Sequence, residues 1–240
     1  MKIDVLTLFP DMFRGPLEMS MLKRARAKKA VNIRIFDIRY FTKGKHRLAD
    51  DYSYGGGSGM IMKPEPIFEA VKAASGESYS KLQKKNRRFP WIILLSPQGV
   101  QFTQKKAKVF AGKKHLIFIC GRYKGIDERV RRYLINEEIS IGDYVLSGGE
   151  AAAWVITEAV TRLIPGVVGD KESVETDSFY RENIFDWPHY TRPFKYRGWP
   201  VPKILISGNH KKIQVWRRKK ALEKTFSRRP DLLLKEKNYE

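Results

Sequence analysis

The sequence predicts an α/β protein built on a largely parallel sheet, followed by a small, mainly helical C-terminal domain. Three observations carry that class. Strand-like and helix-like segments alternate through the first two thirds of the 240 residues, the pattern of repeated βαβ units. Residues 91–95 and 116–119 are short, wholly apolar runs, the mark of strands covered on both faces. After Gly166 the chain turns polar, then proline-rich, then strongly basic. The expected division is a sheet domain over 1–166, a flexible linker over 167–186 and a helical domain over 187–240.

Each element has its own signal. Residues 3–9 form a strand that Pro10 ends, and Asp4 inside the run makes it a strand rather than a signal peptide. Leu17, Met21 and Ala25 mark one face of a helix, and residues 33–38 read as the second strand. Pro64 opens a helix in which Ile67, Ala70, Val71 and Ala74 recur at i, i+3, i+4 and i+7 until Gly76 stops it. Thr103 starts a helix that Gly112 ends, between the two buried strands. A helix over 150–164 turns Ala152, Ile156, Ala159, Val160 and Leu163 inward and halts at Pro165-Gly166.

Residues 167–183 lack sustained periodicity, and residues 187–202 hold too many prolines for regular structure. A final helix is capped near Asn209. At about 100° per residue, its Val215, Leu222 and Phe226 share one side while Arg217, Lys220 and Lys224 lie opposite. That pattern predicts a packing face and a basic stripe.

Charge narrows the function. Lys and Arg number 47 against 26 Asp and Glu, a formal +21, more than solubility needs. A polyanionic partner follows, with nucleic acid ahead of an anionic membrane surface. Residues 195–240 alone hold +10 of that charge, and a second basic cluster spans 81–88. The single cysteine, Cys120, excludes a disulfide framework and a thiolate zinc cluster within one chain. His46, His115, His189 and His210 show no metal-ligand spacing, so no metal site is expected. No apolar stretch approaches the roughly 20 residues of a membrane span, so a cytoplasmic protein without a membrane partner is expected.

Four glycine-bearing loops follow apolar segments: residues 54–60, 96–99, 120–125 and 147–150. None fits G-x-x-x-x-G-K-[ST], and none gives G-x-G-x-x-G after a strand. That counts against a P-loop NTPase and an ordinary dinucleotide site. Two of the loops directly follow the buried strands, and ligands of open α/β sheets collect at the carboxyl ends of strands. The segment 139–149 adds Ser140, Asp143, Tyr144 and Ser147, a suitable lining for a small polar ligand. The residues by themselves give a small-molecule pocket beside a nucleic-acid-binding appendage, without naming the ligand.

Longer motifs carry a resemblance. Leu95-Ser96-Pro97-Gln98-Gly99, the run Cys120-Gly121-Arg122-Tyr123-Lys124-Gly125-Ile126-Asp127, and Ser140-Ile141-Gly142-Asp143-Tyr144-Val145-Leu146-Ser147-Gly148-Gly149-Glu150 stand in this order. So do Asp50-Asp51 with the glycine run to Met60, Pro188-His189-Tyr190-Thr191-Arg192-Pro193 and Leu205-Ile206-Ser207-Gly208-Asn209-His210. Together they resemble the bacterial tRNA (guanine-N1-)-methyltransferase family.

The resemblance implies a SPOUT-class domain whose C-terminal part is threaded into a trefoil knot, a homodimer, and S-adenosylmethionine bound in a bent conformation. The implied substrate is tRNA and the implied target is N1 of guanosine 37; no further protein partner is inferred. By motif, the cofactor would be held by Leu95, Ser96, Pro97, Gly121, Tyr123, Ile141, Gly142, Asp143, Tyr144, Val145, Leu146, Gly148 and Gly149. Asp177 matches the family's base, Arg162 its catalytic arginine, and Asp186 another acidic position. Contacts to tRNA are expected from Asp186, Arg192, Asn209, His210, Arg217, Lys220 and Lys224.

Three departures from the family pattern stand out. Lys124 stands where the family commonly has a Glu linked to magnesium dependence, and a cation cannot ligate magnesium. Ser58 replaces a usual Pro, and Ala151-Ala152 a usual Leu-Pro; both changes retune loop stiffness.

Overall fold

The computed structural model describes residues 1–82 and 90–234. They form two compact units, Met1–Gly169 and Asp170 onward. The basic cluster expected over 81–88 lies, from Gln83 on, outside the described residues.

The N-terminal unit begins with β1 (Lys2–Thr7), a 3-10 turn over Pro10–Phe13, α1 (Arg14–Leu17) and α2 (Ser20–Ala27). Next come β2 (Asn32–Asp37) and a small hairpin of β3 (Asp50–Tyr52) with β4 (Met60–Met62). Then follow α3 (Pro64–Ser75), α4 (Tyr79–Leu82), β5 (Trp91–Gln101), α5 (Gln104–Ala111) and β6 (His115–Cys120). The unit closes with α6 (Glu128–Tyr133), β7 (Glu137–Ser140) and α7 (Glu150–Thr161).

Five of these strands make one sheet in the order β2-β1-β6-β5-β7, and every neighbouring pair is parallel. The two continuous apolar runs sit near its middle, as the prediction required. Ile93, Leu95, Leu116, Phe118 and Cys120 join a core with Phe110 of α5 and Ala152, Ile156 and Val160 of α7. Ile92, Leu94, Ile117 and Ile119 join a second core with Ile67, Ala70 and Val71 of α3 and Val130 of α6. Alternate side chains thus feed opposite layers, the signature of a strand buried on both faces.

The helix limits follow local chemistry. Thr103 caps α5, its hydroxyl accepting from the Lys106 N–H. Gly76 ends α3 at φ +73°, and its N–H reaches the Lys72 carbonyl. The strand β5 outlasts its apolar run because the ladder to β7 resumes at Val100 after an irregular stretch beyond Leu95. Gly99 permits that rejoining: a Cβ there would stand 2.3 Å from the Ile139 nitrogen. The helix expected over 150–164 stops three residues early, at Thr161, with Arg162 as its C-cap.

Asp4 is fully buried in β1. Arg34 of β2 grips its carboxylate with two bonds of 2.7 and 2.9 Å, and His115 Nε2 lies 2.7 Å away. Burial pushes the carboxyl pKa up, but Arg34, His115 and Lys2 outweigh that and hold it below the usual value. Asp4→Asn should cost about 2 kcal/mol at pH 7, less than a fully buried pair because Arg34 can recover water. A depressed folded-state pKa gives stability that is present above the unfolded carboxylate pKa, about 4, and lost as pH falls through the folded value. Denaturant titrations of both proteins should therefore converge as pH drops below about 4; a gap unchanged at pH 3 would count against the ion pair.

The second unit starts at Asp170, so most of the segment expected as linker belongs to it. Asp170 caps a short helix, α8 (Lys171–Glu175). Downstream come a two-residue hairpin, β8 (Lys195–Tyr196) with β9 (Trp199–Pro200), then α9 (His210–Arg228) and α10 (Asp231–Leu234). The Phe185 N–H fastens the linker segment to α9 by donating to Thr225 Oγ1, and the Asp186 N–H closes the segment on itself by donating to Ser178 Oγ. Phe179 and Phe185 meet edge to face at 5.5 Å.

On α9 the expected faces are exchanged. Ile213, Ala221 and Thr225 are buried, whereas Val215 and Phe226 are each 70% exposed. The Arg217 guanidinium lies 4.8 Å from the Trp187 ring centroid, and Lys224 Nζ donates to the Asp186 carbonyl at 3.3 Å. Small Ala221 and Thr225 let the 176–187 segment approach, while long cationic stems cover its apolar groups. The expected packing face is therefore corrected at Val215 and Phe226, and the expected basic stripe at Arg217 and Lys224.

Candidate functional site

Three loops close on one another at the carboxyl ends of β5, β6 and β7 and line a cavity of about 270 Å³. Of the thirteen residues expected to hold the cofactor, twelve line it: Leu95, Ser96, Pro97, Gly121, Tyr123, Ile141, Gly142, Tyr144, Val145, Leu146, Gly148 and Gly149. Asp143 does not. The Tyr144 N–H bonds the Gly142 carbonyl across it, which puts Asp143 at the tip of a tight turn.

The glycines serve close approach. Gly149 N–H donates to the Gly121 carbonyl at 3.0 Å, joining the loop after β6 to the one after β7. A Cβ on Gly149 would stand 2.9 Å from Cys120 Cα, and one on Gly148 2.3 Å from Arg122 Nε. Neither residue tolerates a side chain without moving a cavity wall.

A buried polar chain braces the same junction. Glu150, 2% exposed, opens α7. Thr7 Oγ1 donates to its Oε1 at 2.7 Å, and Arg122 Nε donates to the same oxygen at 3.2 Å. Arg122 Nη2 lies 3.1 Å from Oε2, an ion pair off hydrogen-bond alignment. The guanidinium also stacks 4.2 Å from the Phe9 ring centroid. Sequence reasoning singled out neither Arg122 nor Glu150, although both stood inside the quoted motifs. Burial, then the Glu150 charge, pushes the neighbouring Cys120 thiol well above its ordinary pKa, against a smaller opposing effect of Arg122; this thiol is inert at neutral pH.

The remaining expected residues are distributed over both units. Arg162 is the C-cap of α7, its N–H bonded to the Glu158 carbonyl at 3.0 Å. Asp177 lies in the second unit, just after α8, and lines a cavity of about 520 Å³ with Asp186, Trp187, Arg217 and Arg218 among others. Asp186 Oδ2 holds His189 Nε2 at 2.7 Å. Asn209 caps α9 by accepting from the Lys212 N–H, and Lys220 Nζ pairs with Glu223 at 2.7 Å. Arg192 and His210 are exposed. Among the described residues, no group of three or more His, Cys, Asp or Glu could hold a metal ion, and no helix is long and apolar enough to cross a membrane.

A five-stranded parallel sheet with glycine loops closing a cavity at its carboxyl edge defines a SPOUT-type methyltransferase fold. The family model described as tRNA (Guanine-1)-methyltransferase TrmD matches residues 1–235, and the chain belongs to that family. It is 54% identical over 233 residues to a Bacillus cereus protein named tRNA (guanine-N(1)-)-methyltransferase, covering 97% of this chain and 92% of that one. A Bacillus anthracis protein of the same name is 53% identical with the same coverage.

Proposed function

We propose that the protein transfers a methyl group from S-adenosylmethionine to N1 of guanosine 37 in tRNA. The observation that carries this reading is the three-loop cavity at the sheet's carboxyl edge, in a chain whose family match spans residues 1–235. The pocket fits an adenosine: it offers loop backbone for the base edges and ribose, with apolar Leu95, Ile139 and Ile141 beside it. The bound cofactor supplies an already activated methyl group.

Guanine N1 carries a proton and is a poor nucleophile, so a base must remove that proton. We assign this to Asp177. Negative charge then develops on O6, and the Arg162 guanidinium offsets it. On this reading the enzyme acts as a cytoplasmic homodimer, its SPOUT domain carries the trefoil threading, and its C-terminal unit helps to hold tRNA. No step assigned here needs a metal ligand at Lys124.

Incubation with labelled S-adenosylmethionine and unmodified tRNA transcripts carrying G or A at position 37 tests the site. Label should enter the G37 transcript and not the A37 one. Equal labelling of both would overturn the position, and tRNA binding without any labelling would make the chain a non-catalytic RNA binder.

A further inference from the structure

Three cations and no carboxylate line the cavity of the N-terminal unit: Arg122, Lys124 and Arg131. Two are neutralised within the protein. Arg122 pairs with Glu150 at 3.1 Å, and Arg131 with Glu138 at 3.3 Å and Glu128 at 3.6 Å. Lys124 has no hydrogen-bonding or ionic partner for its ammonium among the described residues. The cavity therefore presents one uncompensated positive charge.

Lys124 is exposed, and the backbone that carries it is held in place. The Lys124 N–H donates to the Met60 carbonyl at 3.0 Å, and the Gly125 N–H to the Arg122 carbonyl, also at 3.0 Å. Its aliphatic stem lies along the glycine run. A Cβ on Gly59 would stand 2.9 Å from Lys124 Cγ and 3.4 Å from Cε, and Gly59 itself takes φ +89°. Only glycine meets both demands at that position. The stem thus runs beside Gly59 from a fixed backbone, and Lys124 lines the cavity.

An uncompensated ammonium in a small-molecule pocket is complementary to an anionic group of the occupant. S-adenosylmethionine carries a sulfonium, an α-ammonium and one carboxylate, and only the carboxylate can face a cation favourably. We infer that Lys124 receives the carboxylate of the cofactor's methionine moiety and so selects for cofactors that bear the amino acid. This rests on the reading of the cavity as the cofactor site. It gives the departure from the family's Glu a specific meaning: the amino-acid end of the cofactor meets the opposite charge here.

Calorimetry on the full-length protein separates the possibilities, with S-adenosylhomocysteine and 5′-methylthioadenosine as probes. The second has the same adenosine thioether and lacks the amino acid. Lys124→Gln should weaken S-adenosylhomocysteine by about threefold, the scale of an exposed ion pair, and leave methylthioadenosine unchanged. Lys124→Arg should restore most of the loss. Equal weakening of both probes would mean a distorted loop and overturn the inference. Unchanged affinity for both, with weaker tRNA binding, would place the ammonium on an RNA phosphate and overturn it too. Wild-type protein binding neither probe would instead overturn the assignment of the cavity.

Discussion

An Asp177→Ala enzyme is expected to bind S-adenosylmethionine with unchanged affinity while its methyl-transfer rate falls by about a hundredfold to ten-thousandfold, the range of general base catalysis. Both halves follow from where the residue stands. The cavity assigned to the cofactor is built by loops of the N-terminal unit, whereas Asp177 follows α8 in the C-terminal one. Its proposed task is to take the N1 proton, which is needed only as the new bond forms, so the loss belongs in kcat more than in KM. Asp177→Asn sharpens the test. The amide keeps size and hydrogen-bonding capacity but cannot accept the proton, so its rate should match that of the alanine variant. A fully active asparagine variant would remove Asp177 from proton transfer. Calorimetry showing lost cofactor affinity in either variant would move it to the cofactor pocket.

The sheet was legible because its middle strands announce themselves. Residues 92–95 and 116–119 have no polar interruption, and they fill both cores. Helix limits were legible where one residue's chemistry decides them, as at Thr103, Gly76 and Asn209. The strand β7 was not read from the sequence, since Glu137 and Glu138 leave no apolar run or alternation there. Their charges are taken up by Lys106 at 2.9 Å and Arg131 at 3.3 Å, partners 31 and 7 residues away. The faces of α9 were misjudged for a related reason. Angular pattern separates apolar from charged residues, but in a unit this small the packing surface follows side-chain length and close approach. Ala221 and Thr225 admit the neighbouring segment, and the stem of Arg217 covers it with its guanidinium over Trp187. The cavity-lining loops were visible as motifs, whereas the contact between them was not. Arg122 and Glu150 are 28 residues apart, and no local pattern couples them.

That contact yields the second large effect. Arg122→Met should destabilise the protein by about 3 kcal/mol, because it leaves the Glu150 carboxylate buried with Thr7 as its remaining hydrogen-bond partner. The estimate takes the low end for a broken buried pair, since the Arg122 side chain is 14% exposed and Thr7 continues to donate. For a chain of this size the melting temperature should fall by roughly 6 to 12 °C. Glu150→Gln added to Arg122→Met removes the stranded charge, so the double variant should be more stable than Arg122→Met alone. Simple additivity of the two single losses would mean that the ion pair braces nothing. The same pair also holds the loop after β6 against the one after β7, through the close fit of Gly148 between Arg122 and Glu150. Cofactor affinity should consequently weaken in both single variants and recover in part in the double one. If stability recovers in the double variant while affinity does not, the guanidinium itself, rather than the spacing it enforces, is what the cofactor requires.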